Sequence, residues 1–272
     1  MTAPLNLARR RFADAMRDAA GGDARISDAF AAVKREAFLP PAPWLVFSAG
    51  DRKRTSDPAD LYTDSLVALA TGRGINNGEP ALHARWLAAV NPQPGEHVTH
   101  VGAGGGYYTA LLAHLVAPGG RVTAYEIEAD IAEMARANLA EMPDVSVTCG
   151  DATAEGVPPA DIVYVNAGLG APPVRWLESL KPGGRMIFPW RPSAEIGVAV
   201  LVRRAGNGFA ASVLMPSWFI PYAGDAGCRV APTAREAQHI ASIRVSANEP
   251  PDATALAICG DIWFGASPPG GS

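Results

Sequence analysis

The pattern of polar and apolar positions changes period once, sharply, between residues 97 and 112. His97-Val98-Thr99-His100-Val101 alternates with β-prone residues, and Gly102, Gly104 and Gly106 then fall at every second position. Tyr107-Tyr108-Thr109-Ala110-Leu111-Leu112 follows as an apolar run at helical spacing. That order predicts a strand, a tight glycine turn and a helix. Glycine suits the turn because the chain must reverse there and let a ligand lie against bare backbone. The helix start points unpaired N–H groups at the same place, which favours a carboxylate or a phosphate.

The same alternation runs through the middle of the chain. Helix 80–90, with Pro80 in its first turn and Leu82, Trp86, Leu87 and Val90 inward, leads into the strand at 97–101. Helix 107–117 is followed by strand 121–126, helix 129–141, strand 145–149, strand 161–166, helix 172–180 and strand 185–189. Strands alternating with helices predict an α/β fold, a doubly wound and mostly parallel sheet whose ligand lies at the carboxyl ends of the strands. Runs at 196–203 and 209–215, joined by Ala205-Gly206-Asn207-Gly208, predict an antiparallel hairpin at one edge.

The flanks are less regular. Residues 5–20 and 26–38 read as two N-terminal helices, and 41–78, with scattered Pro, Gly and Asp, as an irregular surface segment. Thr233-Ala234-Arg235-Glu236 is a capping box opening a short helix. A last strand is expected within 254–264, and 267–272 as a disordered tail. The resulting division is an N-terminal cap (1–79), a central domain (80–224) and a C-terminal extension (225–272).

Composition narrows the function classes. With 272 residues, 48% of them hydrophobic, the chain can bury a sizeable core. Its net charge of −4 argues against a general nucleic-acid binder, although Arg9-Arg10-Arg11 and Arg52-Lys53-Arg54 are local basic clusters. No stretch approaches the length of a membrane span, so neither a nucleic-acid nor a membrane partner is expected. Cys149, Cys228 and Cys259 are far apart and odd in number, which predicts a cytoplasmic protein without disulfide or metal site and a buried, apolar Cys149. The five histidines show no ligand spacing.

The chemistry concentrates at one sheet edge. The residue three after Gly104 is Tyr107, where a dinucleotide fingerprint wants glycine or alanine, so the G-x-G-x-G spacing suits a nucleoside carrying an amino acid. S-adenosylmethionine fits that description, and Tyr107 disfavours a redox enzyme with a nicotinamide cofactor, which is the outside alternative. Glu126 closes the second strand about 20 residues beyond the turn, where an acid accepts ribose hydroxyls. Asp151, after Gly150, reaches the amine of an adenine. With their neighbours these give the expected cofactor-binding set: Gly102, Ala103, Gly104, Gly106, Tyr107, Glu126, Ile127, Asp151 and Ala152.

The glycine turn, the strand-end acid, Gly150-Asp151 and Leu180-Lys181-Pro182-Gly183-Gly184 together resemble class I S-adenosylmethionine-dependent methyltransferases. A narrower likeness runs from about residue 8 to 223. Val33-Lys34-Arg35-Glu36-Ala37-Phe38-Leu39-Pro40, Leu61-Tyr62-Thr63-Asp64, Gly104-Gly105-Gly106-Tyr107-Tyr108-Thr109 and Trp218-Phe219-Ile220-Pro221 are similar, in order, to motifs of the protein-L-isoaspartate O-methyltransferases. The resemblance implies transfer of a methyl group to a carboxylate of a peptide, protein or small molecule.

One segment departs from that pattern. Where the family has T-I-S-x-P, with a serine at the active site, this chain reads Gly74-Ile75-Asn76-Asn77-Gly78-Glu79-Pro80, two residues longer and without the serine. Asn76 and Asn77 are the candidate catalytic residues, as donors to a substrate carboxylate, and Asn-Asn-Gly is equally the composition of a plain turn. Three functions stay open at this point: a carboxyl O-methyltransferase, a methyltransferase for another peptide or small-molecule acceptor, and a non-catalytic S-adenosylmethionine-binding protein.

Overall fold

The computed structural model describes residues 3–48, 50–206, 208–220 and 227–269. Asn207, Pro221 and the tail 270–272 lie outside the described residues. In chain order the elements are α1 (Ala3–Ala19), α2 (Ala24–Ala32), β1 (Trp44–Ser48), β2 (Asp51–Thr55), β3 (Leu66–Ala70), β4 (Ile75–Asn76), α3 (Pro80–Val90), β5 (His97–Val101), α4 (Tyr107–Val116), β6 (Arg121–Glu126), α5 (Ala129–Asn138), β7 (Val145–Cys149), α6 (Ala152–Glu155), β8 (Ala160–Val165), α7 (Val174–Ser179), β9 (Leu180–Trp190), β10 (Val198–Ala205), β11 (Gly208–Pro216), α8 (Ala234–Ala237), β12 (Ser242–Val245), β13 (Ala255–Cys259) and β14 (Ile262–Gly265). They fall into two compact units, one of residues 1–96 and 102–151, the other of 97–101 and 152–272.

In the first unit α1 packs on α2 and α3, α4 on β6, and α5 on β7. Local chemistry sets the helix ends. The Asp23 carboxylate accepts from Arg25 N–H at 2.9 Å to cap α2. Pro80 opens α3, and Asn91 closes it in the left-handed region at φ 47°. α3 buries Leu82, Trp86, Leu87 and Val90 as its spacing requires. β6 and β7 pair in parallel, bringing Glu126 opposite Cys149.

Residues 41–78, expected to be irregular, instead carry β1 to β4, a four-stranded sheet in the order β2-β1-β3-β4. The reason is visible in the strands themselves. Four of the five β2 positions are exposed and β4 has two residues, so neither shows an apolar alternation. The second N-terminal helix also ends earlier than expected, at Ala32, and 35–38 forms a separate 3-10 turn.

The second unit is a sheet ordered β13-β14-β12-β11-β10-β9-β8-β5. β5, β8 and β9 are parallel, and β9 onward runs antiparallel. The antiparallel part is therefore larger than one edge hairpin. The capping box at Thr233 and Glu236 forms. The single strand expected at 254–264 is a hairpin, because Gly260 turns the chain at φ 58°. Leu180-Lys181-Pro182-Gly183-Gly184 lies within β9 beside a register shift against β8.

Two cysteine expectations are corrected. Cys228 and Cys259 are joined in a disulfide, 31 residues apart in sequence. An antiparallel bridge between Val230 and Ile258 brings their backbones together, a proximity that cysteine spacing alone cannot reveal. Cys149, expected to be buried, is exposed at the end of β7. Among the described residues no helix is long and apolar enough to cross a membrane.

Candidate active site

The turn after β5 is held by its own backbone and by β6. Gly102 and Ala103 N–H donate to the Tyr125 carbonyl at 2.9 and 3.0 Å, and Gly106 N–H to Ala103 at 3.0 Å. Gly102, Gly104 and Gly106 adopt φ of 79°, 54° and 93°, a region that L side chains avoid. Gly105 is needed for a different reason: a Cβ there would sit 2.2 Å from the Phe38 carbonyl oxygen. Its own carbonyl accepts from the Asn138 amide at 2.9 Å.

Glu126 meets this turn from the end of β6. One carboxylate oxygen accepts from Gly104 N–H at 2.8 Å and the other from Glu128 N–H at 3.1 Å. The carboxylate is buried, and these backbone donors replace the water it has lost. Gly150 N–H donates to the Glu126 carbonyl at 3.0 Å, which fixes the Gly150-Asp151 turn beside it. Ile127, next in the chain, is 51% exposed, an unusual position for a large aliphatic side chain beside two acids.

The remaining expected cofactor residues are placed differently. The Tyr107 ring packs at 6.2 Å from Phe30 and 5.8 Å from Phe38, so only its backbone lies at the helix start. Ala152 opens α6 in the second unit, where its carbonyl accepts from Trp176 Nε1 at 3.1 Å. Gly102, Ala103, Gly104, Gly106, Glu126, Ile127 and Asp151 share the first unit. The first unit thus offers a ligand an amide-lined turn, a buried acid and an exposed aliphatic side chain.

Segment 74–80 is built on a buried cation. Arg35 donates to the carbonyls of Leu61, Thr63 and Ser65 and, at 3.3 Å, to the Asn77 side-chain carbonyl. Its guanidinium is fully buried, and desolvation holds its pKa below the ordinary arginine value. Asn77 also exchanges two bonds with Val67, N–H to carbonyl at 3.0 Å and side-chain oxygen from Val67 N–H at 2.8 Å. Its Nδ2 is buried with no partner among the described residues. Asn76 is half-buried, and its side-chain oxygen accepts from Gly78 N–H at 3.0 Å.

Other side chains pin the same segment, and sequence reasoning gave them no role. The Tyr108 hydroxyl donates to Gly78 at 3.3 Å and its ring stacks on His83. The Asp64 carboxylate accepts from Ala81 N–H at 2.8 Å. Burial and the nearby Asp64 carboxylate raise the Glu79 pKa. Behind Arg35, Tyr62 donates to Glu36 and accepts from Arg9 Nε at 2.9 Å. Burial and the Glu36 contact push that phenol up to about 12. The available signal was charge among apolar neighbours in 33–40 and 61–64, too far from 74–80 in sequence to show the connection. Arg73, just before the segment, is paired with Glu128 and Asp130.

The chain is similar to known proteins over most of its length. The profile of the family described as Protein-L-isoaspartate(D-aspartate) O-methyltransferase (PCMT) matches residues 14–227. A protein-L-isoaspartate O-methyltransferase of Aeropyrum pernix is 34% identical over 212 residues, 75% of each chain. One of Methylorubrum populi is 34% identical over 203 residues, 73% of this chain and 86% of its own. A solved protein-L-isoaspartate O-methyltransferase superposes with a TM-score of 0.70 at 25% identity, covering 80% of this chain and 67% of that one. A Plasmodium falciparum structure with bound S-adenosyl-L-homocysteine shares the fold at TM-score 0.63 and 17% identity, covering 78% of this chain and 97% of its own.

Fold and matches together define an S-adenosylmethionine-dependent O-methyltransferase on a doubly wound α/β sheet. The match is narrower than the class. The chain belongs to the protein-L-isoaspartate O-methyltransferase family.

Proposed function

We propose that the protein methylates the free carboxylate of an L-isoaspartyl or D-aspartyl residue in a polypeptide, with segment 74–80 as the acceptor site. The observation that carries this reading is the Arg35-anchored segment, in which the half-buried Asn76 stands where the family has its T-I-S-x-P motif, its Nδ2 within 3.4 Å of the Gly74 carbonyl and its oxygen accepting from Gly78 N–H. Asn76 donates to the acceptor carboxylate, and Asn77, locked to Val67 and Arg35, holds it in place. Bound S-adenosylmethionine supplies an electrophilic methyl group. The acceptor carboxylate is already ionised at neutral pH, so the protein needs no general base and contributes orientation and desolvation.

Gly102, Ala103, Gly104, Gly106, the Tyr107 backbone, Glu126, Ile127 and Asp151, all of the first unit, form the cofactor site in this reading, and Ala152, which opens α6 in the second unit, is left out of it. A cytoplasmic location stays part of this reading, and the Cys228–Cys259 disulfide counts against it. A second reading, a different peptide or small carboxylate as acceptor, is favoured by the absent serine and the two added residues of 74–80. Chemistry distinguishes carboxyl transfer from the rest: label transferred from methyl-labelled S-adenosylmethionine to an isoaspartyl peptide should be released as methanol by mild base. Base-stable label would contradict a carboxyl ester.

A further inference from the structure

The acceptor segment and a basic edge strand belong to one small sheet. In the order β2-β1-β3-β4, Asn76 ends one outer strand and Arg52-Lys53-Arg54 lies on the other. β2 is antiparallel to β1, with Phe47 opposite Arg52, Val46 opposite Lys53 and Leu45 opposite Arg54. Its outer side therefore carries a row of backbone N–H and C=O groups that no strand of this sheet pairs.

The two faces of β2 differ in charge. Lys53 shares its face with Asp51 and pairs with Asp60 at 2.7 Å, so that cation is neutralised. Arg52 and Arg54 point to the other face, exposed and without an ion pair among the described residues. They stand beside Leu45, Phe47 and Leu66, all half-buried on that face, whereas Val46 and Val67 fill the buried one. In a chain of net charge −4 this is a local reversal of sign on an open strand edge.

We infer that β2 is a docking edge for an extended, acidic segment of the polypeptide substrate, which adds to the sheet as a further strand and places its acidic side chains against Arg52 and Arg54. The inference rests on the reading of 74–80 as a polypeptide acceptor site. A phosphate backbone would answer the charge but not the ladder, whereas a peptide strand answers both. Four strand intervals of about 4.8 Å separate such a strand from β4, about 19 Å, which six or so extended residues span. A docked segment and an acceptor residue some eight positions apart can thus be engaged by one chain.

The test uses the full-length protein and two fluorescent peptides without isoaspartate, one Glu/Asp-rich and one Lys-rich, read by anisotropy. The acidic peptide should bind, and Arg52→Glu with Arg54→Glu should weaken it by about tenfold or more, the two exposed pairs acting together. N-methylation of alternate backbone amides should weaken it as well. An isoaspartyl peptide with the acidic tail eight residues away should show a lower KM than its untailed form on the wild type only, with kcat unchanged. Equal binding of the two peptides, or no effect of the double variant, overturns the proposal. So does an RNA oligomer of equal charge that binds as tightly as the peptide and competes with it. Because the anisotropy arm needs no methyl transfer, acidic-peptide binding with no methylation would contradict the acceptor assignment and leave the docking edge standing.

Discussion

Arg35 donates from Nη2 to the Asn77 side-chain oxygen at 3.3 Å, and both residues are buried. This bond ties the segment before β1 to the proposed acceptor segment, 74–80, across 42 positions of sequence. The same guanidinium closes three backbone carbonyls of 61–65, so one charge organises the whole approach to Asn76.

Arg35→Met should therefore damage the acceptor site more than the cofactor site. Three backbone carbonyls lose the Arg35 donor and the Asn77 oxygen keeps only Val67 N–H, at a cost of about 2–4 kcal/mol. KM for the acceptor should rise while S-adenosylmethionine affinity, measured by calorimetry, stays within about twofold of wild type. A comparable loss of cofactor affinity would contradict the division between the two sites.

Glu126→Ala removes the acceptor of two backbone N–H groups and the proposed ribose contact. Cofactor binding should weaken by about 10- to 100-fold, as for a charge-assisted hydrogen bond. Glu126→Gln, which keeps one acceptor oxygen, should fall between. Asp151→Ala should act in the same direction with little loss of thermal stability. An unaltered dissociation constant in either alanine variant would remove that residue from the site.

Gly105→Ala forces a Cβ to within 2.2 Å of the Phe38 carbonyl, a rigid backbone atom. The variant should lose at least about 3 kcal/mol or fail to fold. Gly72→Ala, where a Cβ meets nothing within 4 Å, is the control and should stay within about 0.5 kcal/mol of wild type. Denaturant unfolding of the pair checks the packing of the turn.

One buried group and one at the surface set opposite pH trends. Burial lowers the His100 pKa to about 3, and the ring meets the Asn166 amide at 2.9 Å. Its folded pKa lies below the unfolded one, so its contribution is complete above about 6.5 and is lost as pH falls toward 3, with a slope of up to about 1.4 kcal/mol per pH unit. Glu79 has a raised pKa, so its contribution is present in acid and is lost as pH rises through the folded value. Glu79→Gln should raise the melting temperature slightly at pH 7 and leave it unchanged at pH 4. A gain of the same size at both would contradict the shift.

The disulfide makes a countable claim. Thiol titration of the unreduced protein in denaturant should give one thiol per chain, Cys149, and three after reduction. Replacing Cys228 and Cys259 by serine should cost about 3–4 kcal/mol for a loop of this length. Three thiols without reductant would contradict the bond.

What the sequence revealed and what it hid follow from range. The glycine turn, Glu126 and the Gly150-Asp151 turn are local patterns whose spacing along the chain is their spacing in space, and they fall together in the first unit. β1 to β4 escaped because an exposed basic strand and a two-residue strand carry no hydrophobic period. The anchoring of Asn77 by Arg35 and the pairing of Cys228 with Cys259 are long-range contacts that only the folded chain defines. Segment 74–80 was legible as a departure from the family pattern, but the contacts that hold it were not.

The most direct test of the account is the initial rate of methyl transfer from labelled S-adenosylmethionine to an isoaspartyl peptide beside its aspartyl twin, with cofactor binding measured on the same sample. The account predicts cofactor binding, label on the isoaspartyl peptide alone, and loss of that label in Asn76→Ala with cofactor affinity retained. Tight cofactor binding with no label on the isoaspartyl peptide, or equal label on both peptides, would contradict it.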